Sequence, residues 1–402
     1  MVVPDSTRER ETLDSPIDAK SMQGLKYFKA LRKLLAQLHD VGTARDKAGN
    51  RELFYDQYAS LMLLYFFNPT LTSLRGLCQA SKLENVQRAL GCSPTSLGSL
   101  SEAARVFDAG CLKQIVGELS GQLKPLATAR ETELLAGLTA VDGTLLPALP
   151  KMVWALWNYE HKRAAKLHLH FEVFTGALPA AEITPGQGCE KKSLHRLLQP
   201  GRFYVLDRGY EQFRLFQAIV NAQSSFVCCV REQMTWTVRQ ERSLSPAARQ
   251  AGVVFDAEVN LGGSKAEGVL TQPYRVVIVE RTSTRPGESK RLVLVTNRLD
   301  LDAELIALAY RYRWQIELFF RWFKCVLGCK HLLSTSQNGV EIQVYTALIA
   351  SLLISLWTGR KPTKRTFEML CLYFQGWASL DELTAHLEGL PPNTPAAKKL
   401  AR

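Results

Sequence analysis

The sequence predicts a mixed α/β protein whose strand-rich middle carries the chemistry, with helices before and after it. Two observations lead there. Asp142 and Asp207 each follow an apolar run of strand type, 138–141 and 203–206, and are followed at once by a small or glycine-containing turn, which places both at strand ends. Glu317 instead lies midway along 303–327, a stretch without Pro or Gly that reads as one long helix.

Helical signals come first along the chain. In 27–39 the apolar set Phe28, Leu31, Leu34, Leu35 and Leu38 recurs at helical spacing with Lys26, Lys29, Arg32 and Lys33 interleaved, an amphipathic basic helix open to two readings, a solvated face or a DNA-phosphate contact. The apolar run 61–67 ends at Asn68-Pro69, and short helices are expected over 72–80, 83–90 and 101–107. Short helices with tight breaks near Arg75, Lys82, Arg88 and Arg105 are compatible with a helix-turn-helix reader of DNA. Lys124-Pro125 breaks the pattern and closes a first domain, 1–130.

Strand signals follow at 138–142, 152–157 and 166–173, a three-strand meander, then a strand over 202–206, a helix over 210–222 and a strand over 224–230. Strands in this order, with carboxylates closing the first and fourth, describe an α/β core of the ribonuclease H-like type, its first part at 131–230. Residues 231–297 change character: the short apolar runs 253–255, 269–270, 274–279 and 291–296, separated by polar and Gly-rich loops, read as a β-rich insertion. The second part of the core, 298–358, holds the Glu317 helix; 359–402 is a C-terminal segment with a basic linker, a helical piece over 366–387 and a polar tail. No internal repeat is present.

Composition narrows the class. The 402 residues are 46% hydrophobic, enough for sizeable cores, and 50 Lys and Arg against 38 Asp and Glu leave a net charge of +12. That balance suits a polyanion, nucleic acid rather than membrane. Residues 1–18 carry acidic groups and no apolar stretch, so they do not read as a secretory signal, and a cytoplasmic location is expected. The apolar segment 342–357 is interrupted by Gln343, Thr346, Ser351 and Ser355 and reads as a buried core helix, not a membrane span. Nine cysteines without a CxxC pair read as reduced thiols; Cys325 and Cys329, with His331 nearby, read as core packing more readily than as metal ligands.

On a helix of 303–327, taking Tyr310 as zero and about 100° per residue, Arg313, Glu317 and Lys324 fall at roughly −60°, −20° and −40°. One charged stripe therefore runs along a helix whose other faces carry Ile316, Phe319, Phe320, Trp322 and Phe323. Carboxylates from three distant segments meeting at such a stripe would repel; a divalent cation with oxygen ligands relieves them and leaves Arg and Lys to hold phosphates. Phosphoryl transfer is the expected chemistry. Taken singly, each residue has a plainer reading: Asp142 and Asp207 as turn residues, Glu317 as the partner of Arg313 one turn away, His168 and His170 as sheet residues.

The spacing Tyr310-x2-Arg313-x3-Glu317-x6-Lys324, with Asp142-Gly143-Thr144 and Asp207-Arg208-Gly209-Tyr210 ahead of it, resembles the Asp-Asp-Glu transposases of bacterial insertion sequence family four. The resemblance covers about 135–360; the first third is similar only in being helical and basic. It implies a ribonuclease H-like core with a β-strand insertion before the last catalytic residue. It implies that Asp142, Asp207 and Glu317 are catalytic and hold two Mg2+, for which Mn2+ substitutes, while Tyr310, Arg313 and Lys324 grip phosphates beside the cut, with Arg321 joining them. It also implies that Trp236, the one Trp in the insertion, stacks a flipped base, although an aromatic there also reads as simple core. The expected partners are double-stranded DNA, as terminal inverted repeats and as target, and a second copy of the chain in the end complex. Cut-and-paste transposition through nicking, hairpin formation and strand transfer is the leading expectation; a DNA-binding relative that no longer cuts and a nuclease without transfer activity are the alternatives.

Overall fold

The computed structural model describes residues 33–42, 51–125, 130–149, 151–155, 163–263, 268–282, 289–329 and 331–390. Of the basic helix expected over 27–39, residues 27–32 lie outside them, as do the last residues of the chain; Ala36–Leu38 form a short turn of 3-10 helix with Leu38 buried.

Nine strands form one continuous sheet: β1 (Leu138–Pro147), β2 (Ala164–Glu172), β3 (Ala180–Pro185), β4 (Phe203–Leu206), β5 (Ser225–Val230), β6 (Trp236–Glu241), β7 (Val253–Leu261), β8 (Tyr274–Thr282) and β9 (Ser289–Thr296), in the order β3-β2-β1-β4-β5-β9-β8-β7-β6. β1 to β3 are an antiparallel meander, β4 and β5 pair parallel to β1 in turn, and the remaining four strands are antiparallel and join through β9 on β5. The strands of 231–297 thus extend the main sheet.

Both faces of the sheet are covered. On one side α7 (Glu190–Arg196) and α8 (Phe213–Asn221) close a core of Val141, Leu206, Phe216, Ile219, Phe226, Val259 and Val276. On the other, Ala140, Leu146, Leu167, Val205 and Val227 share one buried cluster with the remaining large helices. These are α1 (Tyr55–Phe67), α2 (Leu74–Ala80), α3 (Glu84–Leu90), α4 (Leu97–Val106) and α5 (Ala109–Gln122) before the sheet, and α9 (Pro246–Gln250), α10 (Ala303–Arg311), α11 (Trp314–Cys325), α12 (Gln337–Thr358), α13 (Lys364–Phe374) and α14 (Leu380–Glu388) after β6; the short α6 (Arg130–Leu134) leads into β1.

α12 is the axis of that second layer. It is long and apolar enough to cross a membrane, but 89% of its most apolar window is buried inside the protein, so it is a core helix. Its polar residues are satisfied internally: Gln343 donates to the His331 carbonyl and accepts from the Leu333 N–H, and Thr346 and Ser355 donate to carbonyls one turn back. Asn338, near its start, donates to the carbonyls of Ala104 and Phe107 and accepts from the Ala109 N–H, fixing the joint between α4 and α5. The helices of the first third therefore share the core of the sheet.

Several elements depart from the sequence expectation. Residues 152–155 are turns, not a strand, and 156–157 lie outside the described residues; Met152 and Ala155 are buried, so the apolar run serves packing without pairing. The expected helix 303–327 breaks at Tyr312-Arg313 into α10 and α11. There the bonds tighten to three residues back, from the Arg313 N–H to the Tyr310 carbonyl and from the Gln315 N–H to the Tyr312 carbonyl. The expected helix 366–387 is two helices, parted at Gly376, whose φ of 80° suits glycine.

Candidate active site

Asp207 stands where expected, directly after β4, and its carboxylate accepts the Gly209 N–H at 2.8 Å, capping the short turn of 3-10 helix Arg208–Tyr210. Asp142 does not end its strand: β1 continues through Gly143 and Thr144 to Pro147 because β2 pairs with it all the way, Asp142 opposite Leu169. What ends near Asp142 is the parallel pairing with β4, which joins Leu138 to Phe203 and Ala140 to Val205. Two residues on, the same offset sets Asp142 level with Asp207 on adjacent strands, so both side chains leave the sheet on one face.

Burial pushes the Asp142 carboxyl up to about 6, against the pull of the Gly143 N–H, which it accepts at 2.8 Å; Glu190 and Asp207 push the same way and the Arg313 guanidinium pulls back. A carboxyl that burial and neighbouring carboxylates push up in this way marks a site short of positive charge. Glu317 lies in the first turn of α11, where the helix dipole favours a negative group, and its Oε1 is 2.7 Å from the Arg313 guanidinium. Burial works against the charge on Arg313, while Tyr310, Glu317 and Asp207 more than offset it and hold the group above its usual value. Lys324 donates to Thr144 Oγ1 at 2.9 Å, and Thr144, two residues from Asp142, shares its face of β1. α11 therefore crosses the face from which both aspartates project.

Of the remaining expected residues, Tyr310 is largely buried and hydrogen-bonds Cys229 of β5; burial raises its hydroxyl well above the usual value. In the tightened turn Tyr310 and Arg313, three apart, sit nearly one above the other. Arg321 is exposed on α11. Trp236 opens β6, five strands from β4 and so roughly 24 Å across the sheet, and it packs half-buried against the second core cluster. The structure does not bring it to the carboxylates.

Among the described residues no three His, Cys, Asp or Glu side chains are gathered closely enough to hold an ion as they stand, and Glu317 is turned to Arg313. The donor set nevertheless fits a hard divalent cation in kind, with carboxylate oxygens, one of them desolvated, on two adjacent strands. His168 and His170 lie on β2 as sheet residues, and burial lowers them to about 4 and about 3, so both are neutral. Cys329 is buried in the core and Cys325 exposed, and all nine cysteines are free.

One acidic residue on the opposite face of β1 from Asp142 has no signal in the sequence. Glu190 opens α7, a helix not foreseen because seven residues give too little periodicity to read. Its side chain lies over Gly143, where an added Cβ would come 2.8 Å from Glu190 Oε1.

Residues 134–353 match the family model described as a transposase DDE domain, a span that holds Asp142, Asp207, Glu317 and the residues around them. The chain belongs to that family. It is 29% identical over 268 residues to a Sinorhizobium fredii protein described as a transposase, covering 66% of this chain and 72% of that one. It is 27% identical over 263 residues to a Geobacillus stearothermophilus protein described as the transposase of insertion sequence element IS5377 (63% and 67% covered). It is 23% identical over 310 residues to a Synechocystis protein described as the transposase of element IS4SA (75% and 81% covered). Among solved structures, a piggyBac transposase synaptic complex with hairpin DNA aligns over 95% of this chain and 85% of its own at 10% identity and a TM-score of 0.46, too loose a likeness to fix any residue's role. The protein is thus a bacterial insertion-sequence transposase of the Asp-Asp-Glu type, an enzyme that cleaves DNA and transfers strands.

Proposed function

We propose that this transposase moves its element by cut and paste, with Asp142, Asp207 and Glu317 holding two Mg2+ ions, or Mn2+ in their place, at the cut phosphate. The observation that supports this most is the common register of Asp142 and Asp207 on adjacent parallel strands, under a helix that carries Glu317. In this reading 131–230 and 298–358 form a ribonuclease H-like core, 231–297 is its β insertion and 1–130 is the DNA-binding part. Tyr310 positions Arg313, and Arg313, Lys324 and Arg321 take phosphate oxygens beside the scissile bond. Trp236, at the far edge of the sheet, offers its ring to a displaced base away from the cut.

When bound, the ions activate water or a DNA 3′ hydroxyl and stabilise the leaving oxygen. The chain's own work is positional. The two strands fix the spacing of the aspartates, Glu317 turns from Arg313 toward them as Arg313 engages a phosphate, and Lys324 holds the backbone against the Asp142 strand. No covalent protein–DNA intermediate is needed. The enzyme acts as a dimer on two terminal inverted repeats, in the cytoplasm at the nucleoid.

The test is cleavage of a supercoiled plasmid carrying the element's flanking repeats, with Mg2+, with EDTA, and with Asp207→Ala. Metal-dependent release of the element with hairpin ends, lost in the variant, is expected. Release with open ends would remove the hairpin step, and binding without cleavage would overturn the enzymatic assignment of these residues.

A further inference from the structure

Three faces run along α11. Counting about 100° per residue from Trp314, Ile316, Phe319, Phe320 and Phe323 fall at roughly 140° to 240° and are buried in the core. Glu317 and Lys324 fall at roughly −60° and −80°, on the side that meets β1 through the bond from Lys324 to Thr144. Between these two faces lies a ridge of Trp314, Leu318, Arg321 and Cys325, all within roughly 40° of zero. Trp314, Arg321 and Cys325 are exposed and Leu318 is half-buried. The ridge is therefore the open flank of the stripe that carries Glu317.

Trp314 is 43% exposed, although tryptophan is among the side chains that folding covers most. The same helix supplies the contrast: Trp322 packs in the core, beside Phe319 and edge-on to Phe367. Among the described residues no ring stacks on the Trp314 indole, and neither Trp314 nor Leu318 joins the core cluster that holds the buried face of α11. Arg313 directly precedes Trp314, and Glu317 follows it by about 4.5 Å along the axis. A DNA strand whose phosphate lies against Arg313 and Lys324 has β1 on one side, so the neighbouring nucleotide finds room on the ridge. An aromatic face among cations is the combination that holds unpaired nucleotides. We propose that Trp314 is a DNA-binding residue of the site, its indole stacking on the base of an unpaired nucleotide next to the cut phosphate. The inference rests on the reading of α11 as the helix that holds that phosphate. It concerns the cut itself, whereas Trp236 stands at the far edge of the sheet.

The experiment measures binding of two end-sequence duplexes to the full-length protein in EDTA, one fully paired and one mismatched at the nucleotides flanking the cut. Wild type, Trp314→Ala, Trp314→Phe and Arg313→Ala are compared, with a thermal scan of each. Wild type should hold the mismatched duplex more tightly than the paired one. Stacking on one base corresponds to roughly 5-fold to 100-fold in affinity. Trp314→Ala should lose about that much on the mismatched duplex and less than about twofold on the paired one, with its melting temperature unchanged because the indole lies outside the core. Trp314→Phe, which keeps an aromatic face, should retain most of the preference. A preference absent in wild type, or undiminished in Trp314→Ala while Arg313→Ala binds weakly, would overturn the role of Trp314 alone. An equal loss on both duplexes would make Trp314 a contact to paired DNA and overturn the stacking. Full binding of both duplexes by Arg313→Ala would instead overturn the placement of the cut phosphate on which the inference rests.

Discussion

Arg313 and Glu317 are one helical turn apart, and the guanidinium of the first lies 2.7 Å from the carboxylate of the second. Arg313 also faces Asp207 and Asp142, so one cation balances the acidic residues of the site in the absence of DNA and metal. A phosphate that draws Arg313 away leaves those carboxylates unbalanced, which favours a divalent cation. DNA and metal should therefore bind with positive coupling. Arg313→Ala is expected to tighten Mn2+ binding without DNA, to weaken end binding, and to shrink the coupling measured by calorimetry with and without duplex. A variant whose Mn2+ affinity falls instead would show that Arg313 supports the carboxylates and does not compete for them.

Glu317→Ala separates catalysis from recognition. Glu317 pairs with Arg313, and under the proposed mechanism its removal takes away a metal donor but no phosphate contact. Cleavage should fall below detection, while end binding by gel shift in EDTA stays within about twofold, well under 1.4 kcal/mol. An equal loss of binding would count against the assigned role.

Lys324 donates to Thr144 Oγ1 at 2.9 Å, on the strand that carries Asp142. If it transfers to a phosphate on binding, Lys324→Ala should reduce the slope of log affinity against log salt by about one. An unchanged slope would leave Lys324 as a strap between α11 and β1.

These residues show where the sequence was readable and where it was not. Asp207 was placed correctly because the four apolar residues of β4 and the turn Arg208-Gly209 are local signals. Asp142 was read as ending its strand because Asp-Gly is a turn dipeptide, but a long antiparallel partner in β2 overrides that preference; pairing is a tertiary fact. The break at Tyr312-Arg313 carries no Pro or Gly, and both residues keep right-handed helical angles, so no residue type announces it. β6 was missed because Trp-Thr-Val-Arg-Gln-Glu is an exposed polar edge with no apolar alternation to read. The family spacing singles out Tyr310, Arg313, Glu317 and Lys324, whereas nothing local in the sequence brings Glu190 over Gly143; the packing of α7 on β1 and β2 does that.

The titration of Asp142 and of His170 should pull stability in opposite directions. Asp142 rises from 3.8 to about 6 on folding, so the folded chain holds its proton more tightly; the cost is absent below about pH 4, grows through the interval and is complete above about pH 6. Asp142→Asn should therefore stabilise the metal-free protein at pH 7.5, by roughly 2–3 kcal/mol at most, and not at pH 4. His170 is lowered from 6.5 to about 3 by burial, with neither ring nitrogen hydrogen-bonded, so its folded form resists protonation and stability falls as pH drops below 6.5. His170→Phe should flatten the loss of thermal stability between pH 7 and pH 5. Thermal scans of both variants across pH 4–8 check the signs, and a parallel shift at every pH would contradict them.

Asp256 and Arg275 test how the outer strands support the helices that bear Tyr310 and Glu317. The pair is bidentate at 2.7 Å, with side chains 4% and 2% exposed, and Arg275 also donates to the carbonyls of Arg298 and Leu301, just ahead of α10. β7 and β8 are thereby fastened to the turn that launches the helices bearing Tyr310 and Glu317. Asp256→Ala leaves a buried guanidinium without its counter-charge and should destabilise the protein by about 3–5 kcal/mol. Replacing both residues with apolar ones of similar size should recover most of that stability in urea denaturation, because no buried charge is stranded. The same double variant no longer holds the Leu301 carbonyl, so its cleavage should stay impaired although its fold is restored. Full recovery of both would show that the pair serves stability alone and that α10 finds its place without Arg275.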